Sequence, residues 1–296
     1  MRVEVNGVRI FFEVIGSKFA VDGPRMREKP TLILLHGGPG FDHSNFRPAF
    51  DSLAAVAQVV MIDQRGNGRS EVGDRERWTL AQWGDDIRGF CDALDIERPI
   101  VLGNSFGGIV AISYATRHPS HPGKLILSST LGRGSDYYLD ASVAMFARLG
   151  GEEVGRLAQL FLRGSVTDEL LSQWTRKAFP LYTQSPSLFA DREALARTVF
   201  NRDLGRLFIN GEMRSFDMLA DLAKIRCPTL VLAGELDPIC PIAAGDDIAN
   251  AVPNHLLTYR RYPRCGHGAY RDTPEAFDDI RRFVEARPAN DEETAS

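Results

Sequence analysis

Six short runs of mostly apolar residues recur along this chain of 296 residues, and the segments between them are long enough to hold helices. The runs cover residues 31–35, 59–62, 100–102, 124–127, 229–232 and 256–262. Because the apolar residues are continuous and do not alternate with polar ones, we expect strands that are buried on both faces. Such strands, separated by helices, are typical of a mostly parallel sheet with helices on both sides. The sequence therefore predicts an α/β fold.

The N-terminal segment predicts two antiparallel strands. Residues 3–5 and 8–14 favour β structure, and Asn6-Gly7 between them is a strong two-residue hairpin turn. Residues 16–30 are polar, with scattered glycine, proline and charge, so we expect a surface loop there.

The last predicted helix begins after Thr273, a good N-cap residue, and Pro274 suits its first position. Its apolar residues recur on one face, which we expect to pack on the sheet. They are Phe277, Ile280, Phe283 and Val284. Residues 289–296 are expected to form a disordered tail.

Residues 132–221 interrupt the alternation of strands and helices. They offer helical patterns, such as 141–149 and 153–162, and no convincing strand. We interpret them as a helical cap inserted over the carboxyl edge of the sheet, where open α/β folds bind ligands. The α/β core then comprises residues 1–131 and 222–288.

Composition excludes several classes of protein. Hydrophobic residues make up 44% of the chain and charged residues 25%, as in an average globular protein. Neither a run of about eighteen apolar residues nor a secretory signal is seen, so we expect a soluble, cytoplasmic protein. The net charge of -4, with basic residues scattered among acidic ones, argues against nucleic acid or membrane partners. A small molecule or a short peptide is the expected substrate, and the oligomeric state is left open.

The cysteines are Cys91, Cys227, Cys240 and Cys265, and no two form a C-x-x-C pair. This spacing fits neither a zinc module nor a disulfide framework, and reduced thiols are expected. Cys240 and Cys265 come close in sequence to two candidate catalytic residues described below. A role in the site is conceivable, but we favour buried packing for both thiols.

The segment Gly103-Asn104-Ser105-Phe106-Gly107 matches the pattern G-x-S-x-G. It follows the apolar run 100–102 and precedes a helix-like segment, 108–117. A strand-to-helix turn of this kind holds its serine in a strained conformation, and small neighbours let the backbone pass closely. The flanking context favours a nucleophilic Ser105 over an ordinary glycine-rich turn.

Serine needs a histidine base and an acid that orients the base. Asp237 follows the run 229–232, and His267 follows the run 256–262, so both belong in loops at the carboxyl ends of strands. The only other histidine after Asp237 is His255, which precedes the last strand and lies at the wrong edge. We predict Asp237 as the acid and His267 as the base, with Glu235 as the alternative acid.

The loop His36-Gly37-Gly38-Pro39-Gly40 follows the run 31–35 and suits an oxyanion hole, because glycines let backbone N–H groups approach a developing charge. We assign the N–H groups of Gly38 and Phe106 as the donors. A phosphate-binding loop is disfavoured, since the lysine and hydroxyl residues of that motif are missing. His36 is expected to make structural hydrogen bonds within the loop.

These motifs closely resemble those of the α/β-hydrolase superfamily, and within it the proline iminopeptidase-like branch. The resemblance rests on residues 36–40, on the segment 63–70 (Asp-Gln-Arg-Gly-Asn-Gly-Arg-Ser), on the turn at Ser105 and on residues 227–237. It covers the chain outside the cap. It implies the α/β-hydrolase fold, a Ser105, Asp237 and His267 triad, and hydrolysis through an acyl-enzyme without metal or organic cofactor.

The sequence departs from this branch where the substrate amine is bound. Members that remove an N-terminal proline typically hold its amine with acidic residues, one of them directly after the catalytic aspartate. Here that position is Pro238, and in the cap Arg206 stands where a comparable acid is expected. Glu212 could substitute, although a solvated helix-end charge is the simpler interpretation.

Our leading hypothesis is a serine esterase, lactonase or amidase that acts on a small, fairly apolar acyl substrate. The candidate substrate-binding aromatic residues could equally form the core of the cap. They are Trp174, Phe179, Tyr182 and Phe216. A proline iminopeptidase is the second hypothesis and a hydrolase of carbon–carbon bonds the third. A binding protein without turnover is disfavoured by the intact catalytic pattern.

Overall fold

The computed structural model describes residues 1–164, 167–185 and 194–286, and most of its strands form one eight-stranded sheet. The strands are β1 Arg2–Val5, β2 Val8–Ile15, β3 Phe19–Asp22, β4 Arg25–Glu28, β5 Thr31–Leu35, β6 Gln58–Asp63, β7 Ile100–Asn104, β8 Lys124–Ser128, β9 Thr229–Gly234 and β10 Leu257–Tyr262. The large sheet has the order β1-β2-β6-β5-β7-β8-β9-β10. From β6 to β10 all neighbours are parallel, and β1 and β2 are antiparallel. The predicted mostly parallel sheet with an antiparallel N-terminal hairpin is confirmed.

Helices connect the strands and cover the sheet. They are α1 Leu80–Ala93, α2 Phe106–Arg117, α3 Leu139–Gly150, α4 Glu152–Leu162, α5 Asp168–Gln173, α6 Ala194–Arg197, α7 Arg202–Asn210, α8 Ile242–Ala251 and α9 Pro274–Glu285. Helices α3 to α7 all lie between β8 and β9 along the chain. Among the described residues, no helix has the length and apolar character needed to cross a bilayer.

The central strands are buried on both faces, as their continuous apolar character predicts. Along β5, Leu32 and Leu34 contact one apolar cluster, whereas Ile33 and Leu35 contact another. The first cluster includes Phe277 and other residues of α9, and the second includes residues of α1, α2 and α8. Side chains alternate between the faces of a strand, so each face of β5 packs against a different helical layer.

The segment 16–30 is not the plain loop that its polar composition predicts. Strands β3 and β4 form a separate antiparallel hairpin, in which Val21 pairs with Met26. Gly23, at a φ of 56°, lies in the turn between them. Most residues of both strands are exposed, with Val21 80% accessible, so no alternation of buried and exposed residues marks the strands in the sequence.

The last helix begins at Pro274 as predicted, and Phe277, Ile280 and Val284 are buried against the sheet. Thr273 occupies the N-cap position, but its side chain makes no capping hydrogen bond. The predicted tail, 289–296, lies outside the described residues.

The helices between β8 and β9 have an apolar cluster of their own. It includes Phe146 of α3, Leu157 of α4 and Trp174. Ile239, in the loop after β9, contacts both this cluster and the cluster on the face of the sheet covered by α1, α2 and α8. The helical segment therefore packs against the sheet close to the loop that carries Asp237.

Candidate active site

Ser105 lies between the end of β7 and the first residue of α2, at φ 56° and ψ −123°. This left-handed conformation is rare for a residue with a side chain and is a form of stored backbone strain. Neighbouring backbone holds it in place: the Ser105 N–H donates to the Ser128 carbonyl at 3.0 Å, and the Thr130 hydroxyl donates to the Ser105 carbonyl at 2.7 Å. The turn presents Ser105 at the carboxyl edge of the sheet.

Close packing around this turn explains its two flanking glycines. A Cβ on Gly103 would lie 2.2 Å from the carbonyl oxygen of Gly107. A Cβ on Gly107 would lie 2.0 Å from the carbonyl oxygen of Leu35. Neither distance is possible for a real side chain, so helix α2 can start directly against β5 and β7 only with glycine at both positions.

Asp237 and His267 form a buried hydrogen-bonded pair in the loops after β9 and β10. The carboxylate of Asp237 accepts backbone N–H groups from Ile239 and Cys240, each at 2.8 Å. Its Oδ2 lies 2.9 Å from Nδ1 of His267. A carboxylate accepts hydrogen bonds, so we assign the ring proton to Nδ1, which leaves Nε2 as the proton acceptor.

The histidine loop lies against the serine turn. The N–H of Gly268 donates to the hydroxyl of Ser129, on the loop after β8, at 2.7 Å. A Cβ on Gly268 would lie 3.5 Å from Oδ1 of Asn104. The residues next to His267 and Ser105 are therefore close together. Glu235, the alternative acid, lies 3.2 Å from Arg261 in an ion pair.

The glycine-rich loop after β5 borders the serine on its other side. A Cβ on Gly37 would lie 3.3 Å from Cβ of Ser105, and Gly38 has a φ of 135°, which is accessible to glycine. Phe106 is the first residue of α2, so its N–H has no carbonyl partner within the helix. Gly37, the residue before the predicted donor Gly38, and Phe106, the other predicted donor, therefore both adjoin Ser105.

His36 braces this loop, as predicted. Its Nδ1 lies 2.7 Å from the Gly37 carbonyl, and its Nε2 accepts the N–H of Gln64 at 3.2 Å. Burial lowers the pKa of His36 and keeps the ring neutral, which suits one donating and one accepting nitrogen.

Sequence reasoning did not assign a role to the segment 63–70, and the structure shows what it contacts. Asn67 accepts the N–H of Gly40 through Oδ1 at 2.7 Å. Asp63 accepts the backbone N–H groups of His43 at 3.0 Å and Arg69 at 2.8 Å. The segment therefore holds the glycine-rich loop through the contact between Asn67 and Gly40. In the sequence, its match to the family motif was the one sign that it has a role.

The four candidate substrate-binding aromatic residues lie in different environments. Trp174 stacks on Phe161 with ring centroids 4.0 Å apart, inside the cluster of the helical segment. Phe216 is buried in the apolar cluster that includes residues of α1, α2 and α8. The Tyr182 ring lies edge-on to that of His267 at 5.5 Å, and Phe179 lies 4.9 Å from Tyr182. Tyr182 is thus the aromatic residue of the four with a ring contact to His267.

The side chain of Glu212 reaches the start of α1. Its Oε2 accepts the N–H of Leu80, the first residue of that helix, at 2.9 Å. Burial raises the pKa of Glu212, while this hydrogen bond opposes the rise. Arg206 is exposed on α7.

Asp237, Cys240 and His267 have side-chain atoms within 4.8 Å of one another, and among the described residues this is the group that could geometrically hold a metal ion. Burial raises the pKa of the Cys240 thiol well above its ordinary value, which disfavours the thiolate that a metal needs. The Asp237 carboxylate already accepts two N–H groups and the imidazole. The cluster therefore suits a proton-transfer pair better than a metal site.

Comparison with known proteins identifies the family of the fold. The model of the alpha/beta hydrolase fold family matches residues 30–274. The chain belongs to the α/β-hydrolase family. A proline iminopeptidase of Lactiplantibacillus plantarum is 28% identical to it, over 92% of this chain and 95% of the relative. A putative carbamate hydrolase of Caulobacter is 29% identical over 90% and 94%. The crystal structure of proline iminopeptidase from Mycobacterium smegmatis superposes with a TM-score of 0.76 at 23% identity, covering 96% and 97%.

These relatives confirm the resemblance to proline iminopeptidases that the motifs indicate, and they indicate that the chain is a hydrolase. Two relatives of nearly equal identity carry different substrate names. Overall similarity at this level therefore does not select a substrate, and the side chains around Ser105 must be considered.

Proposed function

We propose that this chain is a serine hydrolase that cleaves a small ester, lactone or amide through an acyl-enzyme. The observation that carries the proposal is the strained turn at Ser105 close to the loop of His267, whose ring is hydrogen-bonded to Asp237. Ser105 as nucleophile, His267 as base and Asp237 as the acid that orients the base would supply the groups that acyl transfer requires.

Each residue has a defined step in this mechanism. Nε2 of His267 accepts the hydroxyl proton as Oγ of Ser105 attacks the substrate carbonyl carbon. Asp237 keeps the ring oriented through Nδ1 and stabilises the imidazolium. The N–H groups of Gly38 and Phe106 donate to the oxyanion of the tetrahedral intermediate. His267 then protonates the leaving group, and water attacks the acyl-enzyme with His267 again as base.

The substrate enters between the core, 1–131 and 222–288, and a cap formed by residues 132–221. Tyr182 and Phe179 form the apolar side of the site next to His267. We leave Trp174, Phe216 and Glu212 out of the substrate contacts, because the two aromatic side chains pack in apolar clusters and Glu212 binds the N-terminus of α1.

The test is hydrolysis of a p-nitrophenyl acyl ester by the wild-type protein and by Ser105→Ala. Removing the nucleophile is expected to lower kcat by about 1,000-fold or more without changing the unfolding temperature. Ser44→Ala serves as a matched control, because Ser44 is also buried but lies in the short helical turn His43–Phe46, where its hydroxyl donates to Asp42. Retention of more than about a tenth of the turnover in Ser105→Ala would contradict the proposal.

A proline iminopeptidase is the second candidate, since curated relatives carry that name. A buried substrate ammonium would need a carboxylate, because an unpaired charge out of water costs several kcal/mol. Pro238 supplies none, and Oε2 of Glu212 is bound to Leu80. We therefore expect an N-acetyl-prolyl anilide to have a higher kcat/KM than the free-amine prolyl anilide. A tenfold advantage for the free amine would favour the iminopeptidase.

A further inference from the structure

Asp272 is a buried carboxylate that the catalytic mechanism above does not use. It is 5% exposed, follows a short helical turn, Ala269–Arg271, and lies two residues before the first residue of α9. Its own N–H donates to the Ala269 carbonyl at 3.0 Å. The backbone of Asp272 is thus fixed by this turn and by the start of a helix that packs on the sheet.

The Asp272 carboxylate joins two segments that are far apart in sequence. Its Oδ2 accepts the N–H of Gly266, the residue before His267, at 2.6 Å. Its Oδ1 accepts the N–H groups of Gln184 and Ser185, in the helical segment, at 2.8 and 2.9 Å. One side chain therefore ties the histidine loop to residues 182–185.

A direct backbone contact reinforces this junction. The N–H of His267 donates to the carbonyl of Tyr182 at 2.5 Å. A Cβ on Gly266 would lie 2.2 Å from that same carbonyl oxygen, so the two chains pass as closely as glycine allows. The Tyr182 side chain then lies against the His267 ring.

Loss of the carboxylate would leave backbone N–H groups in both segments without an acceptor. Buried donors without partners are costly, so the segments would move until the groups reach water or another acceptor. Such movement displaces the backbone on either side of the base. A displacement of about 1 Å is enough to slow a positioned reaction by about 100-fold.

We propose that Asp272 is a positioning residue that fixes the His267 loop and residues 182–185 against each other, and so holds the imidazole in place for proton transfer. The kinetic part of this inference rests on the proposed serine hydrolase function. The structural part, the coupling of the two segments, does not.

The kinetic test compares Asp272→Asn with Asp278→Asn, a control on the exposed side of α9. Asparagine keeps the shape but replaces one accepting oxygen with an NH₂ group, which cannot accept an N–H. We expect kcat for the p-nitrophenyl ester to fall by about 30- to 100-fold and KM to change by less than about threefold. Asp272→Glu, which keeps both oxygens but shifts them, should lose less, and it replaces the asparagine variant if that protein does not fold. Wild-type kcat in a folded Asp272→Asn protein would overturn the proposal.

Hydrogen exchange tests the coupling without relying on activity. In Asp272→Asn, faster exchange is expected in peptides that cover 178–185 and 262–268 together, with β5 to β8 unchanged. Equal acceleration throughout the chain would show a general loss of stability, and unchanged exchange in either segment would show that no coupling exists; each result overturns the proposal. An inactive wild-type enzyme would refute the proposed function instead, and the exchange result would still decide the coupling.

Discussion

Single residues around the site divide into those that face the reaction and those that hold the scaffold. Glu212 shows why sequence position alone does not separate the two groups. In the sequence it is a candidate ligand for a substrate amine, but its oxygen accepts an N–H at the start of α1. The first N–H groups of a helix lack partners within the helix, so an acceptor from another segment stabilises that end.

Glu212→Gln is expected to leave substrate preference unchanged. Glutamine can still accept the Leu80 N–H, so the ratio of kcat/KM for free-amine and N-acetyl prolyl anilides should stay within about twofold of the wild-type ratio. The variant Glu212→Ala should unfold at a lower temperature, because the N–H loses its acceptor. If the ratio falls tenfold in Glu212→Gln, the carboxylate binds the substrate amine and the iminopeptidase hypothesis gains support.

At the scale of elements, side chains from the segment 63–70 connect strands, helices and loops. Arg65 donates to both oxygens of Asp86, on α1, at 2.6 and 2.7 Å, and both side chains are buried. Asn6, in the turn between β1 and β2, also donates to Asp86 at 2.9 Å. This buried ion pair fixes the N-terminal hairpin against α1.

Breaking that pair should destabilise the fold strongly. Asp86→Ala leaves the Arg65 guanidinium buried without its partner, and such a loss costs about 3–5 kcal/mol of the free energy of unfolding. Urea denaturation measures it directly. The exposed ion pair of Arg75 with Asp203 provides the control, and Asp203→Ala should change stability little. Similar losses in the two variants would show that burial does not determine the contribution of the pair.

A second contact of the same segment bears on the glycine-rich loop, residues 36–40, which we propose to contribute to the oxyanion hole. Asn67 accepts the Gly40 N–H and donates to the Arg65 carbonyl at 2.9 Å. In Asn67→Ala the loop loses this support, so we expect kcat for the ester to fall by about 10- to 100-fold while KM changes less, because the oxyanion forms only during the reaction. Asn254→Ala, at an exposed position, is the control. A change in KM alone would indicate that the loop binds substrate and does not stabilise the oxyanion.

The elements that could be predicted from the sequence are those with a burial pattern. Residues 31–35 form a strand with the predicted bounds, because both of its faces pack on apolar layers and every residue is apolar or small. The hairpin of β3 and β4 has exposed residues such as Phe19 and Val21, so it carries no such pattern. Backbone pairing and exposed ion pairs such as Asp22 with Arg27 hold it, and neither produces an apolar pattern in the sequence.

For the whole molecule, the sequence predicted which strand ends carry the candidate catalytic residues, since strand order places the ends of parallel strands at one edge. The network that braces them was not predictable. Asp272 binds N–H groups of residues 184 and 185, and Asn67 binds the N–H of residue 40. Any residue except proline offers a backbone N–H, so the partners of a bracing side chain have no signature in the sequence.

A buried cluster around His43, just after the glycine-rich loop in sequence, should make the stability of the whole protein depend on pH. His43 lies with Nδ1 2.6 Å from Oδ1 of Asp63, and its Nε2 lies 3.3 Å from Glu13. Burial alone would lower the pKa of His43, but the hydrogen bond to Asp63 and the charges of Asp63, Glu13 and Asp42 outweigh it and raise the pKa above 6.5. Burial likewise opposes ionisation of Asp63, yet the His43 contacts hold the pKa of Asp63 below 3.8.

The raised pKa of His43 means that its proton stabilises the folded protein more at low pH than at high pH. Below pH 6.5 the ring is protonated in both the folded and the unfolded chain, so its stabilising contribution is complete, and it is lost as the pH rises through the higher pKa of the folded state. Asp63 stays charged over this range because its pKa is lowered. His43→Asn keeps a donor towards Asp63 but cannot be protonated. The difference in free energy of unfolding between the wild type and this variant, measured by urea denaturation from about pH 5.5 to about pH 8.5, should therefore shrink as the pH rises. A difference that stays constant would mean that His43 does not bind its proton more tightly in the folded protein, and one that grows would mean that burial outweighs the three carboxylates.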